Sequence, residues 1–418
     1  MNLDSYLFEF NLTHCDSYQY LANLIDSKNI VLLGEATHGS LEFYQIRSAL
    51  SQYLIKERGF DAICIEGDWP ETALINSYIN GYVNPNQPET ALSKFRRFPQ
   101  WMWNNHIIVE LIRWLRNYND NCKQHKVHFY GLDLYSLSNS ISAVIDYLQE
   151  TDPEAAEIAI KNYSCFEHTA HEPQEYGALV KYSQKKACIE EVLKQLEVLR
   201  NKSYTISYAQ ANAIEQHFVA TQNANLIKNA EHYYRALFDY NANTWNIRDQ
   251  HMFETLNNVI THLRHKLHRE PKIIVWAHNS HLGNAKATEM AERGELNLGQ
   301  LVKETNPNTS FSLGFSTFSG SVTAADNWGD APQFKTINPA LVDSYEYLFH
   351  ALPFKDFLIR FDINSQIKAM FSNPKLQRAI GVIYRPETER FSHYYLAKPA
   401  LQFDAMLHID RTNALIPG

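Results

Sequence analysis

The sequence lacks the signals that define several large protein classes. Its 418 residues hold five cysteines, Cys15, Cys64, Cys122, Cys165 and Cys188, with no C-x-x-C spacing. An odd, scattered set in a long chain argues against a disulfide framework. No G-x-S-x-G nucleophile elbow occurs, and neither Ser40 nor Ser280 sits in such a turn. The absence of a Walker loop and of G-x-G-x-x-G argues against nucleotide hydrolysis and Rossmann-type dehydrogenation. No lysine- or arginine-rich run is present and the formal charge is -8, which disfavours nucleic acid and anionic membranes as partners. There is no eighteen-residue apolar span, and Met1–Phe10 lacks the basic and apolar segments of a leader, so the expected location is the cytoplasm.

What the chain does have is apolar and aromatic bulk: 45% hydrophobic residues, including 24 Tyr and 22 Phe. That is enough for a thick core and a deep pocket. Short β-branched and aromatic runs predict buried strands at Ile30–Leu33, Ala62–Ile65, Val127–Tyr130, Ile273–Ala277, Phe311–Phe315, Phe357–Arg360, Ala379–Tyr384 and Phe403–Ile409. Helical patterns separate the early ones. In Leu41–Glu57, for example, Phe43, Ile46, Leu50 and Leu54 recur at near-helical spacing. The alternation predicts an α/β fold with a mainly parallel central sheet flanked by helices. Between Gly131 and Gly283 the only glycine is Gly177 and the only prolines are Pro153, Pro173 and Pro271. Asp152–His268 therefore reads as helix after helix, with Lys185–Asn201 as one example. This gives a first part of the core over 1–150, a helical insertion or cap over 151–270, and a second part of the core over 271–418.

Four of the strands run straight into ionisable residues. The first leads to Gly34-Glu35-Ala36-Thr37-His38-Gly39 and the second to Glu66-Gly67-Asp68-Trp69-Pro70. The third leads to Gly131-Leu132-Asp133 and the fourth to His278-Asn279-Ser280-His281. Parallel strands place their carboxyl ends on one edge, where open α/β sheets bind ligands. Glu35, His38, Glu66, Asp133, His278 and His281 are therefore expected to converge, although each taken singly could be a helix cap or a solvated loop residue. A histidine can take a proton from water near neutral pH, and a carboxylate can orient its ring. A further histidine or an arginine can meet the oxyanion formed when water attacks a carbonyl. His278 and His281 also form an H-x-x-H pair, which with Glu35, His38 and Glu66 leaves a divalent metal open. His262, His265 and His268 precede Pro271 near a helix end, where histidines are usually solvated. Arg248 and Asp249, adjacent in a helix predicted over Asn246–Leu256, do not share a helical face. Arg47, on the helix after His38, reads from sequence alone as a surface residue.

These motifs resemble the erythromycin esterase family. The resemblance rests on VLLGEATHG at Val31–Gly39, IEGD at Ile65–Asp68 and WAHNSH at Trp276–His281. It also rests on Arg248-Asp249 with Met252, YRPETER at Tyr384–Arg390 and Ser392–Tyr394. It spans about residue 20 to the end. Phe98–Asn104 and Tyr384–Tyr395 look most like the family's uncharacterised branch. The resemblance implies a mixed α/β fold with a helical section, and water attack on a macrolide lactone. It implies His38 as general base, Glu35 and Glu66 as the acidic pair, Arg47 as a catalytic arginine, and His278 and His281 as the late histidines.

The preferred expectation is a metal-independent esterase or lactonase without a cofactor, acting on a small-molecule ester or lactone. Its catalytic set is His38, Glu35, Glu66, Arg47, His278 and His281, with Asp133, Arg248 and Asn279 binding substrate. Two alternatives stand beside it: a metallohydrolase using the same residues, and a small-molecule binding or tailoring protein without turnover. The residue pattern leaves open whether Glu35 or Glu66 partners His38.

Overall fold

A computed structural model describes residues 6–83, 87–122, 125–167, 169, 172–202 and 211–418. The strands are β1 (Leu7–Glu9), β2 (Ile30–Leu33), β3 (Ala62–Asp68), β4 (His128–Asp133), β5 (Ile273–Trp276), β6 (Ser310–Ser316) and β7 (Ser319–Ala324). They continue with β8 (Gln333–Ile337), β9 (Asp356–Arg360), β10 (Lys375–Arg378), β11 (Tyr394–Ala397), β12 (Ala405–Ile409) and β13 (Arg411–Thr412). Eight form one sheet in the order β1-β9-β12-β6-β2-β5-β3-β4. The run from β12 to β4 is parallel throughout, and β9 and β1 close the other edge in antiparallel fashion. The fold is thus α/β with a mainly parallel sheet, as the strand–helix alternation predicts.

The sheet is buried on both faces, which explains why its strands are continuous apolar runs. Val31, Leu33, Ile63, Ile65, Ile274 and Trp276 face one core with the helices Leu41–Arg58 and His106–Asn121. The alternate residues Ile30, Leu32, Ala62, Cys64, Ile273 and Val275 face a second core. That core is completed by helices lying between β4 and β5, among them Leu137–Thr151, Ile189–Lys202, Ala211–Ala236 and Thr244–Leu267. The helical stretch therefore packs directly on one face of the sheet.

Three expectations need correction. Ala379–Tyr384 is not a strand: the ladder forms one step earlier, between β10 and β11. Residues 379–384 run on as extended chain with single bridges, Thr37 to Ile380 and Ala325 to Ile383, because they thread between the main sheet and the small β13-β7-β8 sheet. The helix expected from Lys185 begins at Ile189, next to Cys188, which is disulfide-bonded to Cys165. The cysteine spacing does not announce that pairing. His262 is not solvated: its Nε2 lies 3.0 Å from Glu215 and its ring stacks on Phe218 at 3.9 Å.

The register between β3 and β4 shifts between Ile65 and Asp68. Such a bulge re-aims side chains at a strand end, here the end carrying Glu66. It depends on Gly131, where an added Cβ would stand 2.4 Å from the Gly67 carbonyl oxygen and 2.6 Å from that of Asp68. Backbone cannot yield there without moving the strand. Gly131→Ala is expected to destabilise the fold by about 1–3 kcal/mol, read as a lowered midpoint in urea unfolding; an unchanged midpoint contradicts the close approach.

Candidate active site

The order of strands brings the predicted residues together. β5 inserts between β2 and β3, so the segments after β2, β5 and β3 lie side by side. They line a cleft of about 500 Å³ whose wall includes His38, Glu66, Asp133, Arg248, His278 and His281. Phe98, Trp103, Trp245 and Trp328 line its apolar parts, and Gly381, Val382 and Tyr395 come from the C-terminal stretch.

Glu35 partners His38. Its Oε1 lies 2.8 Å from His38 Nδ1, and its Oε2 accepts from Arg47 at 2.5 Å. Glu35 and Arg47 are both fully buried, so Arg47 is a core residue rather than a surface one. The Arg47 guanidinium also lies over the rings of Tyr44 and Trp276, at 4.6 and 4.9 Å. These π faces offset part of the cost of burying a cation. Neither Glu35 nor Arg47 reaches the cleft wall.

Glu66 belongs to a second network. Its Oε1 accepts from Arg248 at 2.7 Å and lies 3.3 Å from His281 Nε2, and its Oε2 accepts from the His278 backbone N–H at 2.9 Å. Burial alone would raise the Glu66 pKa, but His281, Arg248 and His38 outweigh it and hold the carboxyl well below its ordinary value. Arg248 also grips Asp133 through two bonds, at 3.0 and 2.6 Å. Burial opposes the Asp133 charge too, and Arg248 overcomes it.

His281 is the most tightly specified ring of the cluster. Both Asp249 oxygens lie within 3.0 Å of its Nδ1, the Leu298 N–H pins Asp249 at 2.8 Å, and Trp245 stacks on the ring at 4.4 Å. At Nε2 the Arg248 Nη1, 2.9 Å away, favours a lone pair, whereas Glu66 favours a proton. Burial disfavours charge on the ring, yet Asp249 and Glu66 together prevail and raise its pKa to about 9. Asp249 itself is raised by burial, against the pull of His281 and Arg248.

His278 behaves in the opposite way. Burial and then the neighbouring His38 push its pKa down to about 3, so the ring is neutral. Its Nδ1 lies 2.8 Å from the Ser280 hydroxyl and accepts from the Ser280 N–H at 3.2 Å; with Nδ1 as acceptor the proton sits on Nε2. Nε2 is buried and makes no hydrogen bond of ordinary geometry, and an interaction with the Ala36 carbonyl favours a proton on the ring. The rings of His38 and His278 lie 4.8 Å apart.

Asn279 is brought close in sequence but points elsewhere. Its amide bonds the Phe315 backbone at 2.7 and 3.2 Å, and the residue is absent from the cleft wall. It clips the end of β5 to β6 instead of facing a ligand. Asp249 is the main residue that helical-face reasoning misses. Arg248 and Asp249 both point inward because Arg248 reaches along the cleft wall to Asp133 while Asp249 turns under His281. Among the described residues, no group of three or more His, Cys, Asp or Glu side chains is disposed to hold a metal ion. The carboxylates are already engaged by arginines and histidines.

The erythromycin esterase family model matches residues 55–412. The chain belongs to the erythromycin esterase family. Among this family-sized chain's relatives is YbfO of Bacillus subtilis (strain 168), provisionally named a hydrolase. It is 25% identical over 77% of this chain and 70% of its own. Erythromycin esterase type II of Escherichia coli is 23% identical over 75% of this chain and 76% of its own. A mutant of the erythromycin esterase EreC, solved in an open conformation, superposes with a TM-score of 0.67 at 17% identity. The match covers 96% of this chain and 95% of EreC, and at that identity it is a likeness of fold. Family membership supports a hydrolase. Among the described residues, no helix is long and apolar enough to cross a membrane.

The two late histidines set opposite limits on stability. His278 is neutral when folded but takes a proton below about 6.5 when unfolded, so folding weakens from about pH 6.5 toward 3. His128 and His251, lowered to about 3 and 4 by burial, add to that acid limb. His281 holds its proton up to about 9 when folded, so its contribution is full below about 6.5 and is lost as pH rises through 9. Thermal melting should therefore peak near pH 6.5. His281→Asn should remove up to about 3 kcal/mol of slope from the alkaline limb while leaving the acid limb in place. An unchanged alkaline slope would contradict the charged ring.

Proposed function

We propose that the protein is a carboxylic ester hydrolase in which His38 activates water for attack on an ester or lactone carbonyl. The observation that carries this reading is the seat of His38, tied by Nδ1 to buried Glu35 at 2.8 Å and facing the unpartnered His278 Nε2 across the cleft floor. With the Nδ1 proton donated to Glu35, the His38 Nε2 lone pair is free for a water proton. Arg47 holds the Glu35 carboxylate in place. It acts through Glu35 and not on the substrate, because it is sealed behind that carboxylate.

In the reaction, a water oxygen attacks the carbonyl carbon as His38 Nε2 takes one of its protons. The carbonyl electron pair moves onto oxygen. The new imidazolium is stabilised by its hydrogen bond to Glu35. The oxyanion is met by the His278 Nε2–H, a neutral donor that makes no hydrogen bond of ordinary geometry in the free protein. Arg248 and His281, already paired with Asp133, Glu66 and Asp249, fix the far wall of the cleft around that point. Collapse breaks the bond from carbon to the alcohol oxygen, which takes the proton back from His38. The products are an acid and an alcohol, and no metal enters the scheme. Relatives named for erythromycin make macrolide lactones one of the first substrate groups to assay.

A panel of esters and lactones, macrolides included, should yield a substrate whose turnover falls about 10²- to 10⁴-fold in His38→Ala. Normal turnover by that variant sinks the proposal. Protein purified without chelators should carry no stoichiometric zinc or manganese, and added chelator should leave turnover intact. Bound metal together with chelator-sensitive activity would transfer the same residues to a metallohydrolase.

A further inference from the structure

A second cavity, of about 430 Å³, adjoins the cleft and shares Glu71, Lys94, Arg97 and Tyr135 with its wall. Arg97 spans the boundary: it bonds Asp68 at 3.1 and 2.8 Å and lies over the Tyr135 ring at 4.7 Å. Its charge is therefore compensated by Asp68. Lys94 and Arg96 also line the second cavity, both exposed, and neither forms an ion pair with an acidic side chain among the described residues. Ser136 and Asn139, at the start of the helix Leu137–Thr151, complete the polar wall.

Glu71 is the unusual member. It is 4% exposed, and its Oε1 accepts from Ser136 at 2.7 Å and Asn139 at 2.6 Å. Its Oε2 is buried with no hydrogen-bond partner, in a side chain that lines both cavities. A buried acceptor left without a donor costs free energy unless a ligand or a proton satisfies it. Asp68 is the neighbouring anion. The charges facing this corner from other elements are Lys94, Arg96 and Arg97, and the rings of Tyr135 and Tyr234 close it.

We propose that this second cavity is an anion-binding subsite of the cleft, where the protonated Glu71 Oε2–H, Lys94 and Arg96 receive a carboxylate, sulfate or phosphate group. Two cations without acidic partners favour an anion over a neutral polyol, and Glu71 supplies a donor without adding charge. The proton on Glu71 is consistent with its surroundings: burial, followed by the charge of Asp68, raises its pKa to about 7. An arriving anion favours that proton further, so binding takes up a proton and weakens as pH rises above about 7. As a statement about substrate, the inference rests on the esterase reading: the preferred ester carries an acidic group on the part reaching past Arg97. As a statement about binding, it stands without turnover.

Inorganic sulfate is the suitable probe, because its charge does not change between pH 5.5 and 8.5. Isothermal titration of the full chain should give saturable sulfate binding at pH 6 that is about tenfold weaker at pH 8.5. In Glu71→Gln the amide copies the protonated acid, with its oxygen accepting from Ser136 and Asn139. That variant should bind sulfate with no more than a twofold change across the range. Lys94→Ala with Arg96→Ala alters exposed side chains only and should weaken binding at least tenfold at both pH values. No saturable binding by the wild type at pH 6 overturns the subsite. So does binding that survives the double substitution, a pH dependence retained by Glu71→Gln, or equal competition from glycerol. Sulfate binding as expected, in a protein that hydrolyses no ester, would retain the subsite and discard the esterase reading alone.

Discussion

The Glu35–Arg47 ion pair, sealed from water on both sides, is the interaction on which the rest of the site leans. A carboxylate taken out of water is tolerated only if a cation and hydrogen bonds replace its hydration, and removing one partner of such a pair typically costs about 3–5 kcal/mol. Arg47 can sit there because Tyr44 and Trp276 turn their ring faces to it. The Trp276 Nε1–H in turn bonds Ser51, on the same helix as Arg47. Helix, β2 and the end of β5 are thus fastened around one charge. His38, attached to the other oxygen of Glu35, inherits that rigidity.

Topology explains why residues so distant in sequence meet. The chain lays down β2, β3 and β4, then builds the helical layer, and only afterwards inserts β5 between β2 and β3. The helix Thr244–Leu267, which leads into β5, delivers Arg248 and Asp249 to the same edge. Arg248 bonds Glu66 and Asp133 at the ends of the two neighbouring strands, and so repeats for β3 and β4 what Arg47 does for β2. Asn279 adds a third fastening: its amide is used on the Phe315 backbone, which locks the β5 end against β6. The glycine after β2 and the one within β4 serve the same closeness. A Cβ at Gly34 would stand 2.1 Å from Asn279 Oδ1, just as one at Gly131 meets backbone.

The parts of this arrangement legible in the sequence are those set by local pattern. Buried parallel strands must be apolar on both faces, so Ile30–Leu33 and Ile273–Trp276 stand out as uninterrupted runs, and the residues following them are found by position alone. Strands with exposed or small residues, such as Gln333–Ile337 and Ser319–Ala324, carry no such mark. Ala379–Tyr384 carries the mark without being a strand, because its burial comes from being threaded between two sheets. The site shows the same divide. His38, Glu66 and His281 follow from strand ends, whereas the burial of Arg47 and the inward turn of Asp249 depend on which helix face meets the sheet. Helical spacing cannot decide that for a helix with core on one side and cleft on the other. The pairing of Glu35 with His38, three residues apart, becomes visible only when Arg248 is seen to occupy Glu66.

The three cleft histidines show how far neighbours outweigh residue type. His281 stands between Asp249 and Glu66 and is driven toward the cation in spite of burial. His278 has no carboxylate on its ring; a backbone N–H occupies its Nδ1, and burial with His38 nearby keeps it neutral. His38 has one carboxylate on Nδ1 and an edge that reaches the cleft. A ring that must take and return a proton cannot be one already held as a cation, nor one for which protonation is strongly opposed. Of the three, His38 is the one that lines the cleft with a single carboxylate on its ring, Glu35, hydrogen-bonded through Nδ1. The roles in the proposed reaction therefore follow from Glu35, Glu66, Asp249 and the Ser280 amide, which divide three identical side chains into a base, a neutral donor and a fixed positive charge.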